Sequence, residues 1–171
     1  MAESQTKNVY GQKKSMSDIK NTMSAAEQAF IDAAVARCRE RGVSLTPIRR
    51  CVLVLLRRHG GGLKAYDLLD QIKVYHPTVS PPTVYRALDF LIEQGLAHRI
   101  GRINQFVACN QHDHDHVDAN LFLVCPKCGI ITELHDEAAL IVLARSLKAA
   151  GHTLSGPEIE ISAICRYCSD R

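Results

Sequence analysis

The sequence predicts an α+β chain in two units: a helical bundle closed by a β-hairpin, then a small α/β unit built around cysteines. Three observations point there. Apolar residues recur at helical spacing in four runs before residue 96, each bounded by capping residues, glycines or prolines. Two short β-type stretches follow around Gly101. Beyond residue 109, four of the chain's seven cysteines fall in two C-x-x-C pairs.

Residues 1–23 are rich in Ser, Lys, Gln and Asn, have no apolar period, and read as a mobile tail. Ser24-Ala25-Ala26-Glu27 is a capping-box pattern, after which Phe30, Ile31, Ala34, Val35 and Cys38 repeat at helical spacing until Gly42. Thr46 before Pro47 starts a second helix, with Ile48, Val52, Leu55 and Leu56 inward and Gly60-Gly61-Gly62 as its stop. A third runs from Ala65 to Tyr75 on Leu68, Leu69 and Ile72, and ends before Pro77. Ser80-Pro81-Pro82-Thr83 opens a fourth that turns Val84, Leu88, Leu91 and Ile92 inward and stops at Gly95. This leaves Thr83, Tyr85, Arg86 and Asp89 on its outer side.

Leu96–Ile100 and Asn104–Ala108 read as the two strands of the hairpin. Short helices followed by a hairpin are in winged-helix order, and we assign residues 24–108 to that unit and its hinge. Cys109 to Asp118 is a polar loop with three histidines and three aspartates, at the junction with a second unit over 109–171. There Leu121–Val124 and Ile130–Leu134 flank a Cys-Pro-Lys-Cys-Gly turn. A helix over Glu137–Ala150 turns in Leu140, Leu143 and Leu147, and Glu158–Ile164 alternates polar and apolar. So few residues make little core, so a metal, a second subunit or both must add stability.

With 171 residues, 46% hydrophobic and 23% charged, the chain is excluded from global disorder and collagen-like repetition. Its longest apolar run is the seven residues Ala138–Ala144, whereas a membrane helix needs about 20. No signal-peptide-like segment stands near residue 1. An odd number of cysteines arranged as C-x-x-C pairs suits metal binding in a reducing compartment, so a cytoplasmic metalloprotein without a membrane partner is expected. The net charge of +3 hides an asymmetry: residues 1–108 hold 16 Lys and Arg against 9 Asp and Glu, and the remainder 5 against 9. A basic unit joined to an acidic one fits nucleic-acid binding by the first, although a solvated surface gives the same count.

Cys125, Cys128, Cys165 and Cys168 supply four thiolates for a tetrahedral site. Four sulfurs close the coordination shell and leave no position for water or substrate, which argues for structural Zn2+. A mixed set, His98, Cys109, His112, His114, His116 and Glu133, offers a second site, and the soft sulfur of Cys109 favours zinc over harder cations. Loop histidines are also commonly just solvated. Cys38 and Cys51 lie on apolar stripes and read as core.

An enzyme reading exists. His135-Asp136-Glu137 with Cys165-x-x-Cys168 echoes the H-x-E and P-C-x-x-C pattern of zinc-dependent deaminases. It fails because Ile164 stands where proline is required and because Cys125 and Cys128 are left without a role. A zinc-ribbon scaffold for protein contacts explains the sulfur site but not the basic unit.

Leu45-Thr46-Pro47-x-Arg49, Pro82-Thr83-Val84-Tyr85-Arg86-Ala87-Leu88 and the paired cysteines together resemble the ferric uptake regulator family over about residues 24–168. Ala65-Tyr66-Asp67-Leu68-Leu69-Asp70, Pro81 through Leu91 and Glu93-Gln94-Gly95 are most similar to its zinc-responsive branch. The resemblance implies a winged-helix DNA-binding domain, a dimerisation domain and a sensory metal site at the hinge. It implies structural zinc on Cys125, Cys128, Cys165 and Cys168, and sensory zinc on His98, Cys109, Glu133 and a loop histidine. The loop does not align without a gap, so that histidine is His116, which we prefer, or His114. About two zinc ions per subunit follow. The implied function is a homodimer that binds a double-stranded DNA operator and represses zinc-uptake genes when zinc is bound, with iron- or peroxide-responsive regulation as the alternative.

For DNA, the resemblance points to the fourth helix in the major groove with Tyr85 and Arg86 in contact. Arginine bonds guanine through two hydrogen bonds, and tyrosine packs on a thymine methyl or bonds a phosphate. Thr83 shares that outer face, and Arg102 at the hairpin tip is within reach of the minor groove. The bland reading pairs Arg86 with Asp89 and leaves Arg49, Arg50, Arg57 and Arg58 as helix-surface charges.

Overall fold

The computed structural model describes residues 22–109, 120–134, 136–156 and 158–169. The expected tail falls largely outside them, and His112, His114 and His116 do so entirely. Among the described residues four helices, α1 (Ala25–Glu40), α2 (Pro47–His59), α3 (Ala65–Lys73) and α4 (Pro81–Glu93), precede an antiparallel hairpin of β1 (Ala97–Ile100) and β2 (Gln105–Ala108). A 3-10 turn, Gly101–Ile103, joins the two strands.

The capping box of α1 is formed. Glu27 N–H donates to Ser24 Oγ at 3.1 Å and Ser24 N–H donates to Glu27 Oε2 at 2.7 Å, satisfying two amides that the helix leaves orphaned. Arg58 Nε meets the other oxygen of Glu27 at 2.8 Å and so ties α2 to the start of α1. These bonds hold the Glu27 carboxyl below the usual range, the Ser24 backbone amide first and Arg58 second. At its other end, α1 sends Arg37 to the carbonyls of Gln94 and Gly95 and Arg41 to that of Gln94. The carbonyls of the cap and of the glycine just past α4 are thereby satisfied by side chains, while backbone amides of Gln94, Gly95 and Leu96 take the last carbonyls of the helix itself.

Helix α2 is the centre of the bundle. Cys51 through Leu56 are all buried, a wider face than the four-residue stripe its sequence suggests, because α1, α3, α4 and β2 all pack on it. Ile48 is only half-buried. The helix ends at Gly60, whose φ of +65° is the left-handed cap that glycine supplies without strain. Gly62 is small for another reason: a Cβ there would run into the Gln105 side chain and Ile131 Cδ1. Next to it, Leu63 makes a single antiparallel bridge to Phe106, a third segment paired to the hairpin that the sequence did not announce.

Beyond the loop lie β3 (Asn120–Val124), β4 (Ile131–Leu134), α5 (Glu137–Ala149), β5 (Glu158–Ser162) and a short α6 (Arg166–Ser169). The sheet order is β4-β3-β5, antiparallel between β3 and β4 and parallel between β3 and β5. Asp136 caps α5 by accepting from Ala139 N–H at 2.9 Å. Of the three leucines expected inside, only Leu140 is buried. Leu143 and Leu147 are half-buried, and Ile141 and Val142 are exposed. Periodicity finds the apolar face of a helix but not what covers it. The hairpin and second sheet share a core of Ile100, Val107, Phe122 and Val124.

Candidate metal centres and nucleic-acid face

Two groups of metal-ligating side chains come together among the described residues. In the first, Cys125 immediately follows β3, Cys128 lies in the turn to β4, Cys165 precedes α6 and Cys168 lies within it; their sulfurs all lie within 4.8 Å of one another. Parallel pairing of β5 with β3 makes this possible, since it delivers the two C-x-x-C segments to the same sheet end. Cys128 Sγ and Cys165 Sγ are 3.6 Å apart, near the roughly 3.8 Å edge of a tetrahedron with zinc–sulfur bonds of about 2.3 Å.

Backbone amides shape this group electrostatically. The Cys165 N–H donates to Cys125 Sγ at 3.5 Å and, with the amides of Cys128 and Lys127, brings the Cys125 thiol down to about 6. Hydrogen bonding with Cys128, followed by burial, pushes Cys168 up to about 12. Four such close sulfurs cannot all carry charge without a cation among them, so the donor set fits a soft dication.

The second group brings His98, Cys109 and Glu133 within the same 4.8 Å limit. His98 is on β1, Cys109 immediately follows β2, and Glu133 is on β4. Their side chains are withdrawn from solvent: His98 is 4% and Cys109 2% exposed, and the Glu133 side chain 6%. His98 Nε2 stands 4.0 Å from Glu133 Oε1, while the other ring nitrogen faces Glu158 Oε1 at 3.4 Å. A carboxylate on the far nitrogen orients the ring and favours the tautomer that turns the Nε2 lone pair toward Cys109 and Glu133. Burial holds the Glu158 carboxyl above its ordinary value. Phe122 lies beside the ring, with centroids 5.1 Å apart. An imidazole, a thiol and a carboxylate in so small a buried volume form a zinc-type donor set, three of the four ligands that a tetrahedral zinc takes.

The outer face of α4 is as expected. Tyr85 is 41% exposed and Arg86 is exposed, whereas Thr83 is half-buried. The Thr83 hydroxyl lies 2.9 Å from that of Ser80, which caps the helix without a side-chain bond to its amides. Among the described residues no ion pair joins Arg86 to Asp89. Arg102 is exposed on the hairpin turn. Arg49 stacks 3.4 Å from the Phe90 ring centroid and donates to Ser44 O, and Arg58 is paired with Glu27. These two arginines are committed to the fold.

Residues 40–162 match the profile of the ferric uptake regulator family. The chain belongs to that family. Over 141 residues, 82% of each protein, it is 36% identical to the zinc uptake regulation protein of Escherichia coli (strain K12). A solved zinc uptake regulator complexed with zinc and DNA is 34% identical. It superposes with a TM-score of 0.76 over 86% of this chain and 97% of that one. Holo XcZur is 37% identical, with a TM-score of 0.71 over 84% of this chain and 99% of that one. The family's α+β architecture is therefore the architecture of this chain, and no helix among the described residues is long and apolar enough to cross a membrane.

Two carboxylates escaped sequence reasoning. Glu158 faces His98, and Glu160 reaches the hairpin turn. The available signal was the alternation Glu158-Ile159-Glu160-Ile161, which puts both carboxylates on one side of a strand.

Proposed function

We propose that this family member is a zinc-responsive, DNA-binding transcriptional regulator, a cytoplasmic homodimer that represses zinc-uptake genes when its second metal site is filled. The carrying observation is the convergence of His98, Cys109 and Glu133 from three elements. The likeness to relatives named for zinc uptake supports the same reading. Residues 24–108 are assigned to DNA binding with the hinge, and 109–171 to metal binding and dimerisation.

Cys125, Cys128, Cys165 and Cys168 would hold a structural zinc, and His98, Cys109, Glu133 and His116 a sensory one, with His114 as the alternate ligand. This gives about two zinc ions per subunit. Zinc, when bound, supplies the divalent charge that lets a thiolate, an imidazole and a carboxylate share one buried volume. His98 and Cys109 then hold the hairpin against Glu133 of the second sheet, which limits the hinge. In that arrangement α4 presents Tyr85 and Arg86, with Thr83 beside them, to the major groove, and Arg102 meets the backbone or minor groove. Cys109 favours zinc over iron, because sulfur is the softer donor. The test is selection of duplexes from a random-sequence pool at buffered free zinc. Recovery of two-fold-symmetric sites with zinc but not with a chelator is expected, and no zinc-dependent recovery contradicts the proposal.

A further inference from the structure

We propose that Glu160 is a positioning residue, a carboxylate latch that fixes the hairpin turn to the second sheet in the arrangement that reads DNA. The inference rests on the function proposed above. Glu160 Oε1 accepts the Gly101 N–H at 2.6 Å, and Oε2 accepts the Arg102 N–H at 3.1 Å. One carboxylate thus takes two successive amides of the 3-10 turn, each through a charge-assisted bond.

The latch is separate from the metal donors. Glu158 and Glu160 are two residues apart on β5 and so share a face, and both touch the hairpin, Glu158 at His98 and Glu160 at the turn. Glu160 uses none of the donor atoms of His98, Cys109 or Glu133. It also immobilises the backbone of Arg102, whose side chain is exposed.

The arrangement containing these bonds superposes on the relative complexed with zinc and DNA at a TM-score of 0.76. Bonds made in that arrangement, and lost when the hairpin and sheet part, shift the population toward it. Removing them lowers DNA affinity and, by linkage, the apparent zinc affinity of the second site, while the sulfur site is untouched.

The experiment compares the zinc-loaded full chain with Glu160→Ala and Glu160→Gln. It measures amide hydrogen exchange at Gly101 and Arg102, and affinity for a duplex selected by the wild type from a random pool. Glu160→Ala is expected to speed exchange at both amides about tenfold and to weaken duplex binding roughly 5- to 20-fold. Glu160→Gln keeps the shape and one acceptor, so it falls between and serves if the alanine variant loses its fold. Sulfur-site zinc and chain mass in solution stay at wild-type values. Unchanged exchange overturns the latch, and so does faster exchange with unchanged duplex affinity. If the wild type selects no duplex with zinc, the DNA-binding reading falls, while exchange still judges whether Glu160 holds the turn.

Discussion

His98 Nε2 lies 4.0 Å from Glu133 Oε1, although the two residues stand in different sheets on either side of the polar loop. Two ligands on one tetrahedral zinc would be about 3.4 Å apart, so a small closure brings both onto one ion. Movement of the hairpin away from the second sheet separates them. A site that spans two such elements reports their relative position, whereas the four-cysteine group lies at one end of a single sheet and the short helix that follows it.

That difference separates the effects of two cysteine substitutions. Cys125→Ser or Cys165→Ser should lower stability by several kcal/mol, because the metal's binding energy is part of the folding energy of the second unit. Cys109→Ser should leave the melting transition close to wild type. Thermal melts of zinc-loaded proteins check this, and equal damage from Cys109→Ser would contradict the division into structural and sensory sites.

Arg86→Ala should weaken binding to a selected duplex by about 1–3 kcal/mol and relax base preference, with zinc content unchanged. Titration against the selected duplex and a scrambled one is the measurement. Equal losses on both would make Arg86 a phosphate contact.

The exposed Ile141 and Val142 of α5, with Ile164 and Tyr167, are apolar surface that one copy of the chain does not cover. A second copy is the expected cover. Light scattering should give twice the 18.9 kDa chain mass, and a monomer with full DNA affinity would contradict it.

Glu27→Ala should cost about 0.5–2 kcal/mol, since it removes half of the capping box and the partner of Arg58. The folded Glu27 carboxyl sits below its ordinary value, so its contribution is present above that value and lost as pH falls through the lowered one. Denaturant melts of wild type and variant should therefore differ at neutral pH and converge as the solution is acidified below the ordinary carboxylate range.

The helices were legible because their signals are local. Ser24 with Glu27, Pro47 after Thr46 and Pro81 after Ser80 each mark a start within one turn of chain. The candidate metal ligands were legible as residue types, since cysteine pairs and a lone Cys109 near histidines have few structural uses. Pairing was not legible. Nothing near residue 63 announces its bridge to Phe106, and nothing near residue 158 announces that β5 lies parallel to β3. Those contacts depend on distant partners, and Glu158 and Glu160 acquire their roles only through them. Leu143 and Leu147 were read as core because a period of 3.6 residues gives a face, whereas burial requires something opposite it.

The most direct test of the sensory site is titration of the selected duplex with wild type and Cys109→Ser across buffered free zinc, iron and manganese. Zinc should raise wild-type affinity roughly 5- to 150-fold, duplex DNA should tighten zinc binding by the same factor, and Cys109→Ser should lose the response. A wild-type response to iron but not zinc, or an unchanged zinc response in Cys109→Ser, would contradict the sensory assignment.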